Sequence, residues 1–167
     1  MCGATRRAHH ATARHVSDAD RFSLQLELQD DYRFTVSFGT DVVPELTVDE
    51  LPPLGAGAGP NPVRLLATAV GHCLGASLLY CLKRSRIVVQ GLHIAVDGAL
   101  VRNERGRLRV GSINVTLATD VPEQDRERMS RCLELFEDFC IVTESVRHGI
   151  PVTVEVKRLT PATAGAV

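Results

Sequence analysis

The sequence contains no tryptophan, and aromatic residues make up only 4% of its 167 positions. A chain with so few aromatic side chains offers no stacking platform for single-stranded nucleic acid. Its 19 lysines and arginines are balanced by 20 aspartates and glutamates, for a formal net charge of -1. This balance gives no electrostatic case for nucleic acid or an anionic membrane surface. We therefore expect a protein that binds neither nucleic acid nor a membrane.

The sequence also lacks the closely spaced cysteine and histidine pairs of structural zinc sites, and no glycine-rich phosphate loop follows a strand-like segment. We therefore expect no metal and no organic cofactor. The five cysteines have an odd count and no tight spacing, which argues against a disulfide scaffold and favours a reducing compartment. The predicted localisation is cytoplasmic.

The length and the apolar fraction of 44% suit one globular domain with a sizeable core. The arginine-rich N-terminal segment lacks the apolar stretch of a secretory signal, and the C-terminal TPATAGAV is small and weakly polar. We predict an N-terminal tail at 1–20, one domain at 21–159 and a C-terminal tail at 160–167.

One long segment, residues 65–82, contains no charged residue over 18 positions, near the lower limit for crossing a bilayer. Polar residues and glycines dilute it, and no second such segment occurs, so we interpret it as a core helix. Asn61 is a good N-cap and Pro62 suits the first helical position. We expect the helix to begin there and to end near Lys83 and Arg84, cations that complement the helix dipole.

Shorter patterns on either side predict the remaining elements. Alternating apolar and polar residues predict strands at 22–29, 33–38, 44–49, 87–101, 107–119 and 151–157. A second helix over 122–139 has the apolar stripe Met129, Cys132, Leu133, Phe136 and Phe139, and a short helix at 142–147 ends before Gly149. One face of the 107–119 strand carries Ile113, Val115 and Leu117. The order β-β-β-α-β-β-α-α-β predicts an α+β fold, with helices against antiparallel sheet.

The cysteines are the candidate chemical groups. Cys73 and Cys81 are about 12 Å apart along one helix, at 1.5 Å per residue, which exceeds the reach of a disulfide. Cys132 and Cys140 have the same spacing and meet the same objection if one helix runs through both. The spacing permits a pair between Cys73 and Cys140 without proving it. A buried cysteine is more often apolar packing than a reactive thiol, so both interpretations stay open.

Two segments resemble the OsmC/Ohr family. The segment GPNPVRLLATAVGHCLGASL, which contains Cys73, looks like the central-helix motif of that family. Cys140, with the Ile-Val-Thr after it and HGIPVTVEV beyond, is similar to the second family cysteine and the closing strand. The likeness spans residues 22–158. It implies an OsmC-like fold, with antiparallel sheets around a long central helix, in a tightly intertwined homodimer with two active sites at the interface.

The resemblance also implies a function in antioxidant stress response. The protein would be a thiol-dependent peroxidase that reduces organic hydroperoxides, with Cys73 as peroxidatic and Cys140 as resolving cysteine and a dithiol as electron donor. The family uses an arginine from an early strand to hold the thiolate, and Arg33 is our match. Where the hydroperoxide-resistance branch has glutamate after Asn-Pro, this chain has Val63, and Glu50 is a candidate substitute. This departure favours a divergent OsmC-like protein.

Two other functions remain open. A non-peroxidatic OsmC-like protein would use the same interface pocket to bind a small hydrophobic or thiol ligand. A cysteine-histidine hydrolase would combine Cys73 with His72, His93 or His148. No local signature supports the hydrolase, and His72 points about 100° away from Cys73 around the helix.

Overall fold

The computed structural model describes residues 21–158, and the chain divides into two compact units, Met1–Pro62 and Val63–Val167. The predicted tails and Cys2 lie outside the described residues, and the single domain at 21–159 stays a prediction. The strands are β1 (Gln25–Asp30), β2 (Arg33–Ser37), β3 (Leu46–Val48), β4 (Gly91–Arg102) and β5 (Leu108–Asp120). The helices are α1 (Pro62–Arg84), α2 (Arg126–Leu135) and α3 (Ile141–His148), with 3₁₀ turns at Glu123–Asp125 and Phe136–Phe139.

The first unit contains an antiparallel sheet in the order β1-β2-β3. Gln25 lies opposite Ser37 in the β1–β2 pair. Val36 and Val48 are its buried apolar side chains, while every residue of β1 is exposed. These three strands were predicted from their alternating patterns, and they occur where the patterns place them.

Asp49, directly after β3, organises the loop that follows. Its Oδ1 accepts a hydrogen bond from the Glu50 amide at 2.8 Å, and its Oδ2 accepts from the amides of Ala56 and Ala58 at 3.1 and 3.0 Å. The amide of Ala58 lowers the pKa of the Asp49 carboxyl more than burial raises it, and the other amides add to this effect. One buried carboxylate therefore satisfies the backbone of the glycine-rich segment.

In the second unit, α1 supplies most of the core. Val70, Leu74, Leu78 and Leu82 recur every four residues and are buried on one face of the helix. By length and composition α1 also passes as a membrane span. Its buried face nevertheless forms the centre of this unit, as the core-helix interpretation predicted. The helix begins at Pro62 and ends at Arg84, as expected.

Two glycines let α1 approach β4 closely. A Cβ added to Gly71 would lie 2.7 Å from Cγ2 of Val96, and one added to Gly75 would lie 2.4 Å from Cδ1 of Ile94. Atoms at such distances overlap, so any larger residue would push the helix and the strand apart. These glycines lower the intrinsic helix propensity of α1, but they allow its close packing against β4.

Strands β4 and β5 form a long antiparallel pair, from Gly91 opposite Asp120 to Arg102 opposite Leu108. The predicted β5 face of Ile113, Val115 and Leu117 packs against the core. The predicted stripe of the second helix is too wide, since Leu133 and Phe139 are exposed. Within residues 129–140 the buried apolar side chains are Cys132, Phe136 and Cys140, which follow one another at intervals of four residues and pack in the same core cluster as α1.

The predicted last strand does not form within the described chain. Residues 151–157 have no regular secondary structure, and Val152, Val154 and Val156 are 82%, 78% and 91% exposed. A strand requires a hydrogen-bonded neighbour, and this segment has none in residues 21–158. With two antiparallel sheets and a long central helix, the predicted α+β fold is otherwise confirmed.

Candidate active site: a cysteine pair at the start of α3

Cys140 is the N-cap residue of α3. Its backbone is extended, and its Sγ accepts a hydrogen bond from the Thr143 amide at 3.4 Å. The Thr143 hydroxyl oxygen lies 2.8 Å from the same sulfur, and both side chains are buried. The sulfur takes the place usually occupied by a serine or aspartate oxygen, where amide N–H groups and the helix dipole favour negative charge.

Cys73 lies on α1 and is half-buried, whereas Cys140 is 0% exposed. Cys73 packs against the core cluster that contains Cys140, and the two thiols are close enough for each to shift the pKa of the other, as do the amides of Ile141 and Val142. The N-terminal amides of α3 are therefore shared between two sulfurs that are far apart in the sequence. The structure brings these two predicted site residues together, and their catalytic roles stay predictions.

The two thiols have opposite acidities. Burial raises the pKa of Cys73, and the hydrogen bond and charge of Cys140 raise it further against the amides of Val142 and Ile141. Burial also acts to raise the pKa of Cys140, but hydrogen bonds from Cys73, Thr143 and the α3 amides outweigh it and lower that pKa below its ordinary value. These environments favour ionisation of Cys140 over ionisation of Cys73.

The third predicted site residue, Arg33, lies in the first unit at the start of β2. Its guanidinium pairs with Asp30 at 2.5 Å, and both side chains are well exposed. Val63 is half-buried in the first turn of α1, and Glu50 is half-buried in the loop after β3. The role of Arg33 toward Cys73 stays a prediction.

The histidines of the hydrolase alternative are all exposed. His148 places its Nδ1 2.9 Å from the Glu144 carbonyl oxygen, which is a local helix contact. Residues 21–158 contain no group of three or more histidine, cysteine or acidic side chains arranged to hold a metal ion.

Sequence reasoning missed Thr143 and the cavity beside it. The spacing from Cys140 to Thr143 is that of an N-cap and its third helical residue, which is the available signal. A cavity of about 420 Å³ adjoins Thr143, and Arg147, paired with Glu137 at 2.5 Å, also lines it. Most of its other lining side chains are apolar, among them Leu66, Val70, Leu74, Ile113, Leu117 and Phe136.

The structure also corrects the cysteine assignment. Cys81 and Cys132 form a disulfide with a Cα–Cα distance of 5.6 Å, while Cys73 and Cys140 are free. The objection to a bond between Cys73 and Cys81 still holds because both lie on α1, whereas Cys132 and Cys140 do not share a helix, since α2 ends at Leu135. The sequence argument against disulfides was wrong for this pair because it compared only cysteines on the same segment and did not consider that α2 packs beside α1.

Fold and site together define an α+β protein with a half-buried thiol on its long helix and a buried thiol at the start of α3. Residues 55–155 match the family model described as OsmC-like protein. This match covers more than half of the chain, so the chain belongs to the OsmC-like family, as the resemblance predicted.

Known relatives agree with this assignment. The organic hydroperoxide resistance protein OhrB of Bacillus subtilis is 27% identical over 100 residues, which are 59% of this chain and 71% of that protein. Its crystal structure superposes with a TM-score of 0.53 at 23% identity, covering 82% of this chain and 98% of the other. An OsmC-like protein of unknown function from Vibrio cholerae gives a TM-score of 0.65 at 15% identity, covering 75% and 92%. At these identities the structural likeness shows the shared fold.

Proposed function

We propose that this protein is a thiol-dependent peroxidase that reduces organic hydroperoxides in antioxidant stress response. Its membership in the OsmC-like family and its similarity to a hydroperoxide resistance protein support this proposal. The observation that carries it is the contact between half-buried Cys73 and fully buried Cys140. Two free thiols that lie near each other form a disulfide when one of them is oxidised and the other attacks it.

The difference in exposure supports the proposed roles of the two cysteines. A hydroperoxide has to reach the attacking sulfur, and Cys73 is partly accessible while Cys140 is not. The Cys73 thiolate attacks the hydroperoxide oxygen that bears hydrogen, the O–O bond breaks, and Cys73 becomes a sulfenic acid while an alkoxide leaves. Cys73 is therefore the peroxidatic residue of the proposal.

Cys140 completes the reaction in two steps. Transfer of the Cys73 proton to Cys140 generates the attacking Cys73 thiolate, and Cys140 returns this proton to the alkoxide, which leaves as alcohol. The resulting Cys140 thiolate, held by Thr143, attacks the sulfenic sulfur, and with one proton hydroxide leaves as water. In sum, two thiols and one hydroperoxide yield one disulfide, one alcohol and one water. The lowered pKa of Cys140 makes this thiol a good acid toward the alkoxide, but it opposes the initial transfer of the Cys73 proton to Cys140.

A cation is needed to favour the thiolate on Cys73, whose pKa is raised in this structure. We assign this role to Arg33, which would have to exchange its pairing with Asp30 for the sulfur. We assign the organic group of the substrate to the mostly apolar cavity that Thr143 lines, which neither cysteine itself lines. A dithiol donor, available in the cytoplasm, would reduce the resulting disulfide by attack on accessible Cys73.

The proposal includes a homodimer. Three valines alternate with polar residues in the segment 151–157, and all are exposed where a strand was predicted. Pairing of this segment with a second copy would satisfy its backbone and bury those valines. The intertwined arrangement implied by the family resemblance supports that partner.

The test is the stoichiometry of the reaction with cumene hydroperoxide. One equivalent is expected to remove two titratable thiols from the wild type, Cys73→Ser to consume no peroxide, and Cys140→Ser to stop after one turnover with a sulfenic acid on residue 73. Unchanged peroxide consumption by Cys73→Ser contradicts the proposal. Thiols that survive excess peroxide favour instead an OsmC-like protein that binds a small hydrophobic or thiol ligand.

A further inference from the structure

The disulfide between Cys81 and Cys132 is separate from the Cys73–Cys140 pair. It joins the C-terminal part of α1 to α2, whereas Cys73 lies eight residues, or about 12 Å, earlier on α1. The second unit therefore carries one sulfur pair between α1 and α2 and another between α1 and the start of α3, and the proposed peroxidase reaction uses only the latter.

The two sulfurs of this disulfide differ in access. Cys81 is half-buried and lines a surface cavity of about 530 Å³, whereas Cys132 is 1% exposed in the core. The other residues that line the cavity are Tyr80, Arg84, Ser85, Leu135 and Phe139. Disulfide exchange requires a thiolate to approach one sulfur opposite the departing one. The cavity admits such an approach to Cys81 but not to Cys132.

The charge of the side chains that line the cavity favours an anionic ligand. Arg84 donates a hydrogen bond to the Tyr80 hydroxyl at 3.2 Å, and its guanidinium lies 5.8 Å from the centre of that ring. No acidic side chain lines the cavity, and no carboxylate within residues 21–158 pairs with Arg84. An uncompensated guanidinium stabilises an incoming thiolate and any carboxylate that it carries.

Attack at Cys81 makes the buried Cys132 sulfur the leaving group, and a hydroxyl lies within hydrogen-bond reach of that sulfur. The Ser85 hydroxyl lies 3.5 Å from Sγ of Cys132. The Ser85 amide is itself bound to the Cys81 carbonyl oxygen at 3.0 Å, which fixes Ser85 beside the disulfide. A hydroxyl donated to the departing Cys132 thiolate lowers its basicity, and a less basic thiol leaves faster.

We propose that Cys81–Cys132 is a second, exchangeable redox site that takes small anionic thiols, with attack at Cys81. The incoming thiolate forms a mixed disulfide with Sγ of Cys81, the Cys81–Cys132 bond breaks, and Cys132 leaves as a thiolate that accepts the Ser85 hydroxyl. A second thiolate then attacks the sulfur of the bound small thiol, forms a disulfide with it and releases the Cys81 thiolate. Both thiolates take up protons, so two small thiols are oxidised and one protein disulfide is reduced.

The experiment treats the oxidised full-length protein with glutathione, an anionic thiol, or cysteamine, a cationic one, at low salt without denaturant. After acid quenching and alkylation, peptide mass spectrometry locates the adducts. We expect the mixed disulfide on Cys81 and exchange about fivefold faster with glutathione, with the difference shrinking as salt rises. Arg84→Gln removes that preference, whereas Arg86→Gln, an exposed neighbour outside the cavity, retains it.

Four results overturn the proposal: an adduct on Cys132, exchange only in denaturant, equal rates with the two thiols, or free Cys81 and Cys132 after mild oxidation. The position of the mixed disulfide is determined in the wild-type protein. A folding defect in Arg84→Gln therefore does not prevent a test of the proposal. The same exchange is expected in the Cys73→Ser/Cys140→Ser variant. Failure of the peroxidase proposal is therefore distinguishable from failure of this one.

Discussion

The Thr143 hydroxyl oxygen lies 2.8 Å from the Cys140 sulfur, and both side chains are buried. The Thr143 amide points to the same sulfur at 3.4 Å. The hydrogen bond from the backbone amide of residue 143 persists after any substitution except proline. The hydrogen bond from the hydroxyl requires a hydroxyl-bearing side chain. Thr143 therefore gives a way to change the acidity of Cys140 without removing either thiol.

Thr143→Val keeps the shape of the side chain and deletes the hydroxyl. We expect the pKa of Cys140 to rise, because the hydrogen bond from the Thr143 hydroxyl favours the thiolate and is lost in this variant. Thiolate absorbance against pH measures this change. Thr143→Ser retains the hydroxyl and serves as the control, and equal titration of the two variants would show that the hydroxyl has no such role.

Cys140 controls the acidity of Cys73 in turn. Its hydrogen bond and its negative charge both raise the pKa of Cys73, so Cys140→Ala is expected to lower that pKa, while burial still acts to raise it. Iodoacetamide labelling of Cys73 against pH is therefore expected to shift to lower pH in Cys140→Ala. A shift to higher pH contradicts this account.

Gly75 is the closest point between α1 and β4. Gly75→Ala improves helix propensity by about 1 kcal/mol, but the new methyl overlaps Cδ1 of Ile94, and such overpacking costs about 1–3 kcal/mol. We expect net destabilisation, measured as the free energy of unfolding in urea. Ile94→Val removes the overlapping methyl, so the double variant is expected to recover part of the loss. If the free-energy changes of the two substitutions are additive, the destabilisation by Gly75→Ala does not come from overlap with Ile94.

Asp49 is expected to make the stability of the first unit depend on pH. Its pKa is lowered in the folded protein, so its contribution is fully present above the unfolded pKa of about 3.9 and is lost as the pH falls through the folded value. Asp49→Asn should lower Tm at neutral pH, and the difference from the wild type should shrink in acid. Asp41→Asn, at an exposed position of the same unit, is the control and should show neither effect. A difference that persists in acid excludes the charge as its cause.

Val154 tests the dimer. Val154→Lys places a charge on the apolar face of the 151–157 segment, which is expected to convert the dimer to monomer because burying an unpaired charge is costly. Light scattering after size-exclusion chromatography measures the mass. Thr153→Lys puts the same charge on the alternate face and should remain dimeric. A monomeric wild type, or equal effects of both variants, would contradict the proposed pairing.

The local sequence determined most elements of this protein. Asn61 and Pro62 mark the start of α1, its terminal cations mark the end, and alternation identified five of the six predicted strands. These patterns report on neighbours within one helix or strand, and so they depend on residues that are close in the sequence. Cys73 and Cys140 were singled out by the motifs around them, but nothing local fixed the distance between them.

Only the tertiary structure decided which sulfurs meet. The packing of α2 beside α1 pairs Cys81 with Cys132, and the start of α3 brings Cys140 to Cys73. The same packing gives the thiols opposite acidities, because burial and amide hydrogen bonds are properties of the folded environment. The segment 151–157 also shows that a local pattern does not by itself determine secondary structure. Its alternation is typical of a strand, yet a strand also needs a neighbour, and the described chain does not supply one.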